Sequence, residues 1–461
     1  MRGIISAGGY LPYWRLQRSA VGAFHGSGGK GTRSVASYDE DATTLGVEAA
    51  RIALARTGVV PQSLWFTSST PTYLEKTNAT ILHAALQLPA STAAFDLGGA
   101  VRSGIGAIRA ALTSSDTTLV VSGDIRTGLP SSADETAAGD AGAALVIGES
   151  DDLIAEYLGG ASATREFLDR WRSPGDVRTK QWEEKFGQTN YEALAAQAWD
   201  DAVKAAGITT DDVDLVVVAT MHGRAGGVVA KKLGRPVADD FANTLGRTGS
   251  SQAALLLASA LETASTGQVV ALVSLSDGAD VLLFRATGAG VTAAAERSIA
   301  TQLAGGNDAL PYSKYLAWRG VMSPEPARRP EPARMSASAA GRSVEWKYGF
   351  VGSRDRESQA LHLPPARVSR EGGNVDDMEP APMAAAVGSV TTFTIDRMAY
   401  SPSPPVIFAV VDFDGGGRLP IELTDTTPDA VEVGTRVEMT FRRLNAADGI
   451  TNYFWKARPI R

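Results

Sequence analysis

The side chains best suited to catalysis follow apolar runs in the second half of the chain. His222 comes directly after the run DLVVVATM (214–221) and precedes Gly223. A histidine at the C-terminal end of a buried strand can act as a general base or as a hydrogen-bond donor, or it can have no chemical role. Arg247 lies in the turn GRTGSS, where a guanidinium could pair with a carboxylate or polarise a carbonyl. It could equally be a surface cation at a helix start, where the helix dipole disfavours positive charge.

A third candidate is the turn in FDLGGAVRSGIGAI (95–108), where a strand is expected to end and a helix to begin. The amides at a helix N-terminus stabilise negative charge, so a nucleophile could be positioned there. The turn carries Val101 and Arg102 instead. Ser103 follows them, but no base accompanies it, and serine at a helix start is usually a cap. Two roles stay open for Arg102, which could fill the pocket or face an interface.

The composition predicts a soluble globular protein of about three domains, at ~150 residues each, for 461 residues of which 44% are hydrophobic. A net charge of −7 gives no basic field to attract nucleic acid. The absence of cysteine excludes disulfides, thiolate zinc sites and cysteine nucleophiles.

The first residues, MRGIISAGGYLPYW, contain too short an apolar run for a signal peptide. No window approaches ~18 uninterrupted apolar residues, so no membrane span is expected. These features predict a cytoplasmic protein with no membrane partner.

Up to about residue 320, short apolar runs that favour strands alternate with alanine-rich stretches that favour helices. Because these runs lack polar alternation, the strands are expected to be buried on both faces of a layered α/β fold. GDAGAALVI (139–147) and SDGADVLLF (276–284) each follow a helix and a strand at similar spacing. This repetition predicts an internal duplication of a βα module. The predicted strands lie at 63–69, 117–124, 142–150, 214–221 and 269–284, and the predicted helices at 76–88, 102–114 and 250–264.

The composition changes twice after residue 320. A segment rich in proline, arginine and alanine (322–342) predicts an extended linker, since proline removes helix donors. Five strand candidates separated by glycine-rich turns follow, and they predict a small five-stranded barrel of the OB type. They lie at 388–396, 404–413, 418–425, 434–444 and 450–459. The last one contains NYFWK, which could stack on bases, but its aromatics are adjacent and the chain is acidic, so nucleic-acid binding is not expected.

These segments resemble two known families. SVASYDEDATTLGVEAARIAL (34–54), FDLGGAVRSGIGAI, AAGDAGAALVIGES and VATMHGRAGGVVAKKLG (218–234) resemble the thiolase superfamily, nearest its 3-hydroxy-3-methylglutaryl-CoA synthase and ketoacyl-ACP synthase III branch. YSKYLAWRG (312–320), LPPARV (363–368) and YFWKARP (453–459) resemble the acyl-CoA-associated OB-fold family, a zinc ribbon followed by an OB barrel. The resemblance implies an α/β fold, a duplicated thiolase-like layered αβαβα arrangement, followed by a small all-β five-stranded OB barrel. The implied domains are thiolase-like (1–320), linker (321–345), degenerate zinc ribbon (346–384) and OB-fold (385–461).

The same resemblance assigns positions to the site. The catalytic cysteine of the family falls on Val101, and its glutamate falls at about Ser68 or Ser69. The histidine of the synthases matches His222, and their asparagine falls on Arg247. We therefore predict His222 and Arg247 as catalytic residues, with His222 acting as base or as donor to a thioester oxygen. The cations expected to bind the phosphates of coenzyme A are Lys30, Arg33, Lys231 and Lys232.

The metal site of the ribbon is not retained. Its two C-x-x-C pairs fall on Asp355 with Ser358 and on Ser369 with Gly372. These residues cannot supply tetrahedral thiolates, and His362 adds at most one ligand, so no zinc is predicted. The ribbon must then be held by packing or be poorly ordered.

Two functions fit these features. The first is an acyl-CoA enzyme of the aldolase, lyase or acyltransferase type, which without cysteine would use aldol or retro-aldol chemistry on a 3-hydroxyacyl-CoA. The second is a non-catalytic scaffold that passes CoA intermediates to a cysteine-bearing thiolase partner. The fold of the family further implies a homodimer.

Overall fold

The computed structural model describes residues 1–293 and 297–461, and these divide into two units. The first unit contains Met1–Ala36, Asp41–Thr80 and Pro89–Tyr312. The second contains Ser37–Glu40, Ile81–Leu88 and Ser313–Arg461. Within the described ranges, no helix has the length and apolar character that crossing a membrane requires.

The first unit is built on one mixed sheet. Its strands are β1 (Arg2–Tyr10), β2 (Trp14–Gln17), β3 (Thr32–Val35), β4 (Ser63–Thr67), β5 (Ala93–Asp96), β6 (Thr118–Asp124), β7 (Ala141–Glu149), β8 (Ala155–Ala163), β9 (Arg170–Trp171), β10 (Lys180–Gln181), β11 (Leu215–Thr220), β12 (Val269–Leu275) and β13 (Ala279–Ala286). Nine of them form the sheet in the order β11-β12-β13-β8-β1-β7-β6-β4-β5. The pairs β2–β3 and β9–β10 are separate two-stranded sheets.

Most helices of the first unit are short. They are α1 (Arg18–Phe24), α2 (Ala42–Ala55), α3 (Ala79–Ala85), α4 (Arg102–Thr113), α5 (Ala133–Ala137), α6 (Glu184–Ala205), α7 (Gly223–Leu233), α8 (Gln252–Leu261), α9 (Ala289–Ala293) and α10 (Ile299–Ala304). From Ile81 onward, α3 belongs to the second unit. The longest of these helices is α6, with 22 residues. Its buried stripe is rich in alanine.

The predicted duplication is confirmed. In the first half, β4 and β6 are parallel neighbours and β7 is antiparallel to β6. In the second half, β11 and β12 are parallel and β13 is antiparallel to β12. Even the edge strand β5 has a counterpart, because Val237 forms an isolated parallel bridge with Val216 of β11.

The helices make this a layered fold. α2 packs on the strands of the first half and α6 on those of the second, while α4 and α8 pack on each other and on strands of both halves. Buried apolar residues of α4 and α8 belong to one core with residues of β1, β7 and β12. Gly104 allows the close approach in this central layer, because a Cβ there would lie 2.1 Å from the carbonyl oxygen of Ser250.

The second unit contains the predicted five-stranded barrel, which closes in the order β17-β18-β19-β21-β20. The strand bounds differ from the predicted ones by at most three residues. Its elements are α11 (Tyr312–Trp318), α12 (Ala337–Arg342), α13 (Val344–Lys347), β14 (Val351–Asp355), β15 (Leu361–His362), β16 (Met378–Pro382), β17 (Val387–Asp396), β18 (Val406–Phe413), β19 (Arg418–Leu423), β20 (Arg436–Ala447) and β21 (Ile450–Pro459).

Tyr453 and Trp455 of the segment NYFWK pack in the core of the second unit. Tyr453 is 1% exposed and Trp455 is fully buried, and the Trp455 ring stacks on Phe350 at 5.8 Å. These rings therefore cannot form a stacking platform for bases.

The predicted linker is partly helical. Ser336 caps α12 through a hydrogen bond from the Ala339 amide at 3.3 Å.

Hydrogen bonds connect the residues of the segment that the resemblance assigns to a degenerate zinc ribbon. β14, β15 and β16 form a small sheet, and the fully buried Asp355 carboxylate lies at one end of it. It accepts hydrogen bonds from Ser358 Oγ at 2.7 Å and Asn374 Nδ2 at 3.2 Å, and Ser358 Oγ lies 3.5 Å from Ser369 Oγ. The hydrogen bonds of Ser369 and Ser358 hold the pKa of Asp355 well below its usual range. Asp, Ser and Asn oxygens and amides do not fit a zinc site of this type. In the described ranges, no three His, Cys, Asp or Glu side chains are grouped as metal ligands would be.

A buried ion cluster joins distant parts of the second unit. Arg442 is fully buried and pairs with Glu40 and, at 2.6 Å, with Asp425. Lys456 is also fully buried and lies 3.0 Å from Asp39 and 2.6 Å from Glu422. Since buried charges are tolerated only when paired, the segment Ser37–Glu40 is part of the folding core of this unit.

Candidate functional site

The turn after β5 contains no nucleophile. α4 begins at Arg102 with Val101 as its N-cap residue, and Gly99 before it has a φ of 98°. The cavity beside Val101 measures about 10 Å³ and is lined by Val101, Ala219, Thr220, Gly249, Ser250, Gln252, Ala253, Ser274, Leu275 and Ser276. That volume holds at most one water molecule. The turn has the shape of an active-site turn but room for no acyl group.

The two serines at the position of the family glutamate bind a carboxylate of another strand. Asp124, at the end of β6, accepts hydrogen bonds from Ser68 Oγ at 2.9 Å and Ser69 Oγ at 2.8 Å. The amides of Ser69 and Ser250 donate to the same carboxylate, both at 2.7 Å. Asp124 is fully buried, and its two oxygens accept hydrogen bonds from two loops, one after β4 and one before α8. This arrangement holds the two loops against the end of β6.

His222 lies where the sequence predicted, at the end of β11 and the start of α7. It is 8% exposed and acts as the N-cap of α7, with Nδ1 accepting a hydrogen bond from the Ala225 amide at 3.1 Å. Nε2 lies 3.0 Å from the carbonyl oxygen of Glu184, so it carries the proton and donates it. The Tyr191 ring packs edge-on against the imidazole at 5.8 Å. Both ring nitrogens are therefore engaged by the backbone.

Arg247 lies next to His222. A Cβ on Gly223 would lie 2.4 Å from Nη2 of Arg247, so the guanidinium packs directly on the first residue of α7. A carboxylate oxygen of Asp240 lies 3.6 Å from Nη2, and the buried Nε has no hydrogen-bond partner among the residues that the structure describes. The Arg247 guanidinium therefore packs on the residue that follows His222. Its positive charge is balanced only in part by Asp240.

A larger pocket carries a second set of cations. This cationic pocket has a volume of about 580 Å³ and is lined by Arg18, Val21, Gly22, His25, Ser27, Gly28, Gly29, Lys30, Ser131, Ser132, Ala133, Thr136 and Ala137. The carbonyl oxygen of Ala137 accepts the Arg247 amide at 2.9 Å, so the pocket adjoins the Arg247 turn. Burial and the positive charges of Arg33 and Arg247 lower the pKa of Arg18. An anion in this pocket would relieve that repulsion.

The predicted phosphate ligands are dispersed. Lys30 lines the cationic pocket. Arg33 is fully buried, pairs with Asp140 at 3.3 Å and donates to the Glu135 backbone carbonyl at 2.7 Å. It therefore stabilises the fold and cannot reach a phosphate. Lys231 and Lys232 are exposed at the C-terminal end of α7, opposite to His222. The sequence reasoning missed Arg18; the glycine-rich stretch 26–31 that follows α1 is the only local signal for this pocket.

Arg102 does not line the cavity beside Val101, so it does not fill that pocket. It donates to Asp280 at 3.0 Å and to the Asp277 carbonyl at 2.7 Å, both in or beside the β12–β13 turn. It also donates to Thr164 Oγ1, after β8, at 3.0 Å. A Cβ on Gly278, whose φ is 146°, would lie 2.4 Å from Nη1, so the guanidinium packs on the turn itself. Arg102 therefore fastens the first turn of α4 to the second half of the unit.

Comparison with known proteins places this geometry in a family. The chain is 32% identical over 313 residues to a hydroxymethylglutaryl-CoA synthase of Methanosphaera stadtmanae, covering 62% of this chain and 88% of that relative. It is 27% identical over 292 residues to the synthase of Thermococcus gammatolerans, covering 60% of this chain and 83% of that relative. Residues 382–442 match the ChsH2 C-terminal OB-fold domain.

The solved structures agree on the fold. A crystal structure of an HMG-CoA synthase complexed with CoA aligns with a TM-score of 0.60 at 16% identity, over 73% of this chain and 94% of that one. Sequence and fold thus agree on a thiolase-like α/β unit, and the ChsH2 match agrees with the closed barrel that follows it. The chain contains no cysteine, and Val101 stands where the resemblance assigns the catalytic cysteine of the family. The chain belongs to the hydroxymethylglutaryl-CoA synthase family.

Proposed function

We propose that the chain binds an acyl-CoA without forming an acyl-enzyme and works as the non-catalytic partner of a cysteine-bearing thiolase. The observation that carries this proposal is the state of His222, whose Nδ1 and Nε2 are both hydrogen-bonded to backbone groups. A base must offer a free nitrogen and an oxyanion donor a free N–H. At the mouth of α4, where Val101 stands, neither covalent capture nor proton transfer by His222 has a group ready to perform it.

Acyl-CoA is the proposed ligand because of the relatives and the charges. Hydroxymethylglutaryl-CoA synthases are the relatives, and a structure of one of them holds CoA. The phosphates of CoA require cations, and Arg18 and Lys30 line the cationic pocket while Arg247 adjoins it. We place the phosphates beside Arg18 and Lys30, with the acyl end directed toward Arg247.

Isothermal titration with CoA tests this placement. A double variant Arg18→Ala and Lys30→Ala should weaken binding at least about tenfold, since hydrogen bonds to charged groups contribute about 1.5–3 kcal/mol each. The matched control is Lys231→Ala with Lys232→Ala, which removes two exposed cations and should leave the affinity unchanged. The reverse pattern would move the phosphates to α7, and no binding by the wild type would refute the ligand.

The partner role has its own test. Co-expression with a cysteine-bearing thiolase from the same organism should give a stable complex on size-exclusion chromatography. The isolated chain should not turn over 3-hydroxyacyl-CoA substrates. Turnover by the isolated chain would contradict the non-catalytic role. The expected homodimer is measured in the same experiment by light scattering.

Arg247 favours a second candidate, retro-aldol cleavage of a 3-hydroxyacyl-CoA. Its guanidinium is partly buried, has an unpartnered Nε and lies 3.6 Å from its carboxylate, so it could stabilise a thioester enolate. His222 would take the 3-hydroxyl proton while the C2–C3 bond breaks to give a carbonyl product and the enolate. It would first have to release the Ala225 amide. Cleavage that is lost in both His222→Asn and Arg247→Gln would favour this candidate over the first.

A further inference from the structure

A serine, a histidine, a tyrosine and a glutamate form a closed hydrogen-bonded ring at one wall of the cationic pocket. Ser131 Oγ lies 3.0 Å from Nδ1 of His25, and Nε2 of His25 lies 3.1 Å from the hydroxyl of Tyr312. That hydroxyl donates to Oε1 of Glu135 at 2.6 Å. The other oxygen, Oε2, accepts the Ser131 amide at 2.8 Å and lies 3.6 Å from Nε2 of His25.

The hydrogen-bond directions around this ring are mutually consistent. Because Tyr312 donates its proton to Glu135, its oxygen is the acceptor for Nε2–H of His25. In that tautomer of the uncharged imidazole, Nδ1 of His25 accepts the hydroxyl proton of Ser131. A buried carboxylate therefore sets the tautomer that a serine nucleophile requires of its histidine.

The burial pattern fits a nucleophile and its base. Glu135 is fully buried, the His25 side chain is 21% exposed, and Ser131 is exposed in the pocket lining. Ser131 has a φ of 70°, a left-handed conformation that is rare for serine. The hydrogen bond from its backbone amide to the Glu135 carboxylate holds this conformation. The ring thus holds a strained, accessible hydroxyl against the Nδ1 atom of His25.

We infer that Ser131, activated by His25, is a nucleophile for small esters that carry an anionic group. The Oγ attacks the carbonyl carbon, its proton passes to Nδ1 of His25, and the bond to the alcohol breaks as His25 returns the proton to the leaving group. Water, deprotonated by the same nitrogen, then releases the acid from the acyl-serine. Arg18 and Lys30 line the same pocket and select the anionic group. The site lies in the pocket where the proposed function puts the phosphates of CoA, whose acyl end is directed toward Arg247 and away from Ser131; neither Val101 nor His222 takes part.

Diisopropyl fluorophosphate tests the nucleophile directly. The reagent should phosphorylate Ser131 selectively, with loss of fluoride, as read by peptide mass spectrometry. His25→Asn should slow this labelling about a hundredfold, the contribution of a positioned general base. Ser27→Ala is the matched control, since Ser27 lines the same pocket and its Oγ lies 3.5 Å from the Gly22 carbonyl, so labelling should be unchanged. Labelling of Ser131 no faster than that of other serines, or undiminished in a folded His25→Asn variant, would overturn the inference.

A pair of chromogenic esters tests the ligand class. 3-Acetoxy-4-nitrobenzoate carries a carboxylate that cannot reach its own ester, and o-nitrophenyl acetate carries none. After subtraction of the spontaneous rates, the wild type should hydrolyse the benzoate ester at least about tenfold faster, and Lys30→Ala should reduce that preference. Circular dichroism of each variant confirms folding. Hydrolysis that continues unchanged in Ser131→Ala, or that shows no preference for the anionic ester, would contradict the assignment.

Discussion

Val101 determines, at the scale of one residue, what the mouth of α4 can do. An isopropyl group offers no lone pair, and the neighbouring cavity of about 10 Å³ leaves no volume for an acyl chain. The side chains aligned with the other catalytic residues of the family make structural contacts instead. Ser68 and Ser69 bind Asp124, and His222 caps α7. Restoring the nucleophile alone should therefore not restore the chemistry.

Val101→Cys tests this residue-scale argument with a clean readout, because the chain contains no other cysteine. Incubation with acetyl-CoA should give no acetylated protein in intact-mass spectrometry, since Nδ1 of His222 is held by the Ala225 amide and cannot take the thiol proton. Alkylation of the unfolded variant by iodoacetamide controls for the presence of one thiol. Accumulation of an acetyl adduct would show that the site retains more of its machinery than the hydrogen bonds of His222 allow.

Single-residue positions could be predicted from the sequence, but the tertiary contacts of these residues could not. The positions of Val101 and His222 at element ends could be read from local patterns. The contact between His222 and the Glu184 carbonyl could not, because it joins residues 38 apart and depends on how α6 packs. Arg33 shows the same limit, since a buried cation paired with Asp140 looks in sequence like any surface arginine.

At the scale of elements, strands with strong apolar patterns were predictable and small-residue elements were not. The barrel strands alternate buried and exposed residues, and Ile407, Ala409 and Val411 of β18 show the pattern. β8, with sequence AEYLGGASA, carries two glycines and little hydrophobic signal. The buried stripe of α6 is rich in alanine, which also gives a weak signal. Both elements are stabilised by tertiary packing more than by local preference.

Arg102 joins two elements of the first unit, and its loss should destabilise the fold. It connects the first turn of α4 to the β12–β13 turn through Asp280, whose side chain is 7% exposed. Arg102→Ala should lower the free energy of unfolding by about 2 kcal/mol, because it leaves that carboxylate with fewer donors. Differential scanning calorimetry measures the change in melting temperature. The exposed Arg165 provides the control, and Arg165→Ala should have little effect. Equal melting temperatures for the two variants would contradict the bridging role.

At the scale of the whole molecule, the second unit depends on segments far apart in the chain. Asp39 and Glu40 belong to it together with Arg442 and Lys456, about 400 residues away. The positive charges of Lys456 and Arg442 outweigh the effect of burial and hold the pKa of Asp39 at about 2. Glu40 behaves in the opposite way. Burial, with the negative charges of Asp425 and Asp39, outweighs Arg442 and raises the pKa of Glu40 to about 7.

Glu40 should therefore make the stability of the chain depend on pH. Its folded pKa of about 7 lies above the ordinary value of 4.5, so between these values the folded chain holds a proton that the unfolded chain has released. This stabilisation is complete below pH 4.5, declines as pH rises toward 7, and is absent above it, with a total change of up to about 3 kcal/mol. Calorimetry of Glu40→Gln should show a flatter profile that exceeds the wild type above pH 7, because an amide stays neutral. Glu438→Gln, at a partly exposed pair with Arg458, should run parallel to the wild type. A wild-type profile that rises from pH 5 to 7 relative to Glu40→Gln would mean that Glu40 is ionised in the folded chain throughout this range.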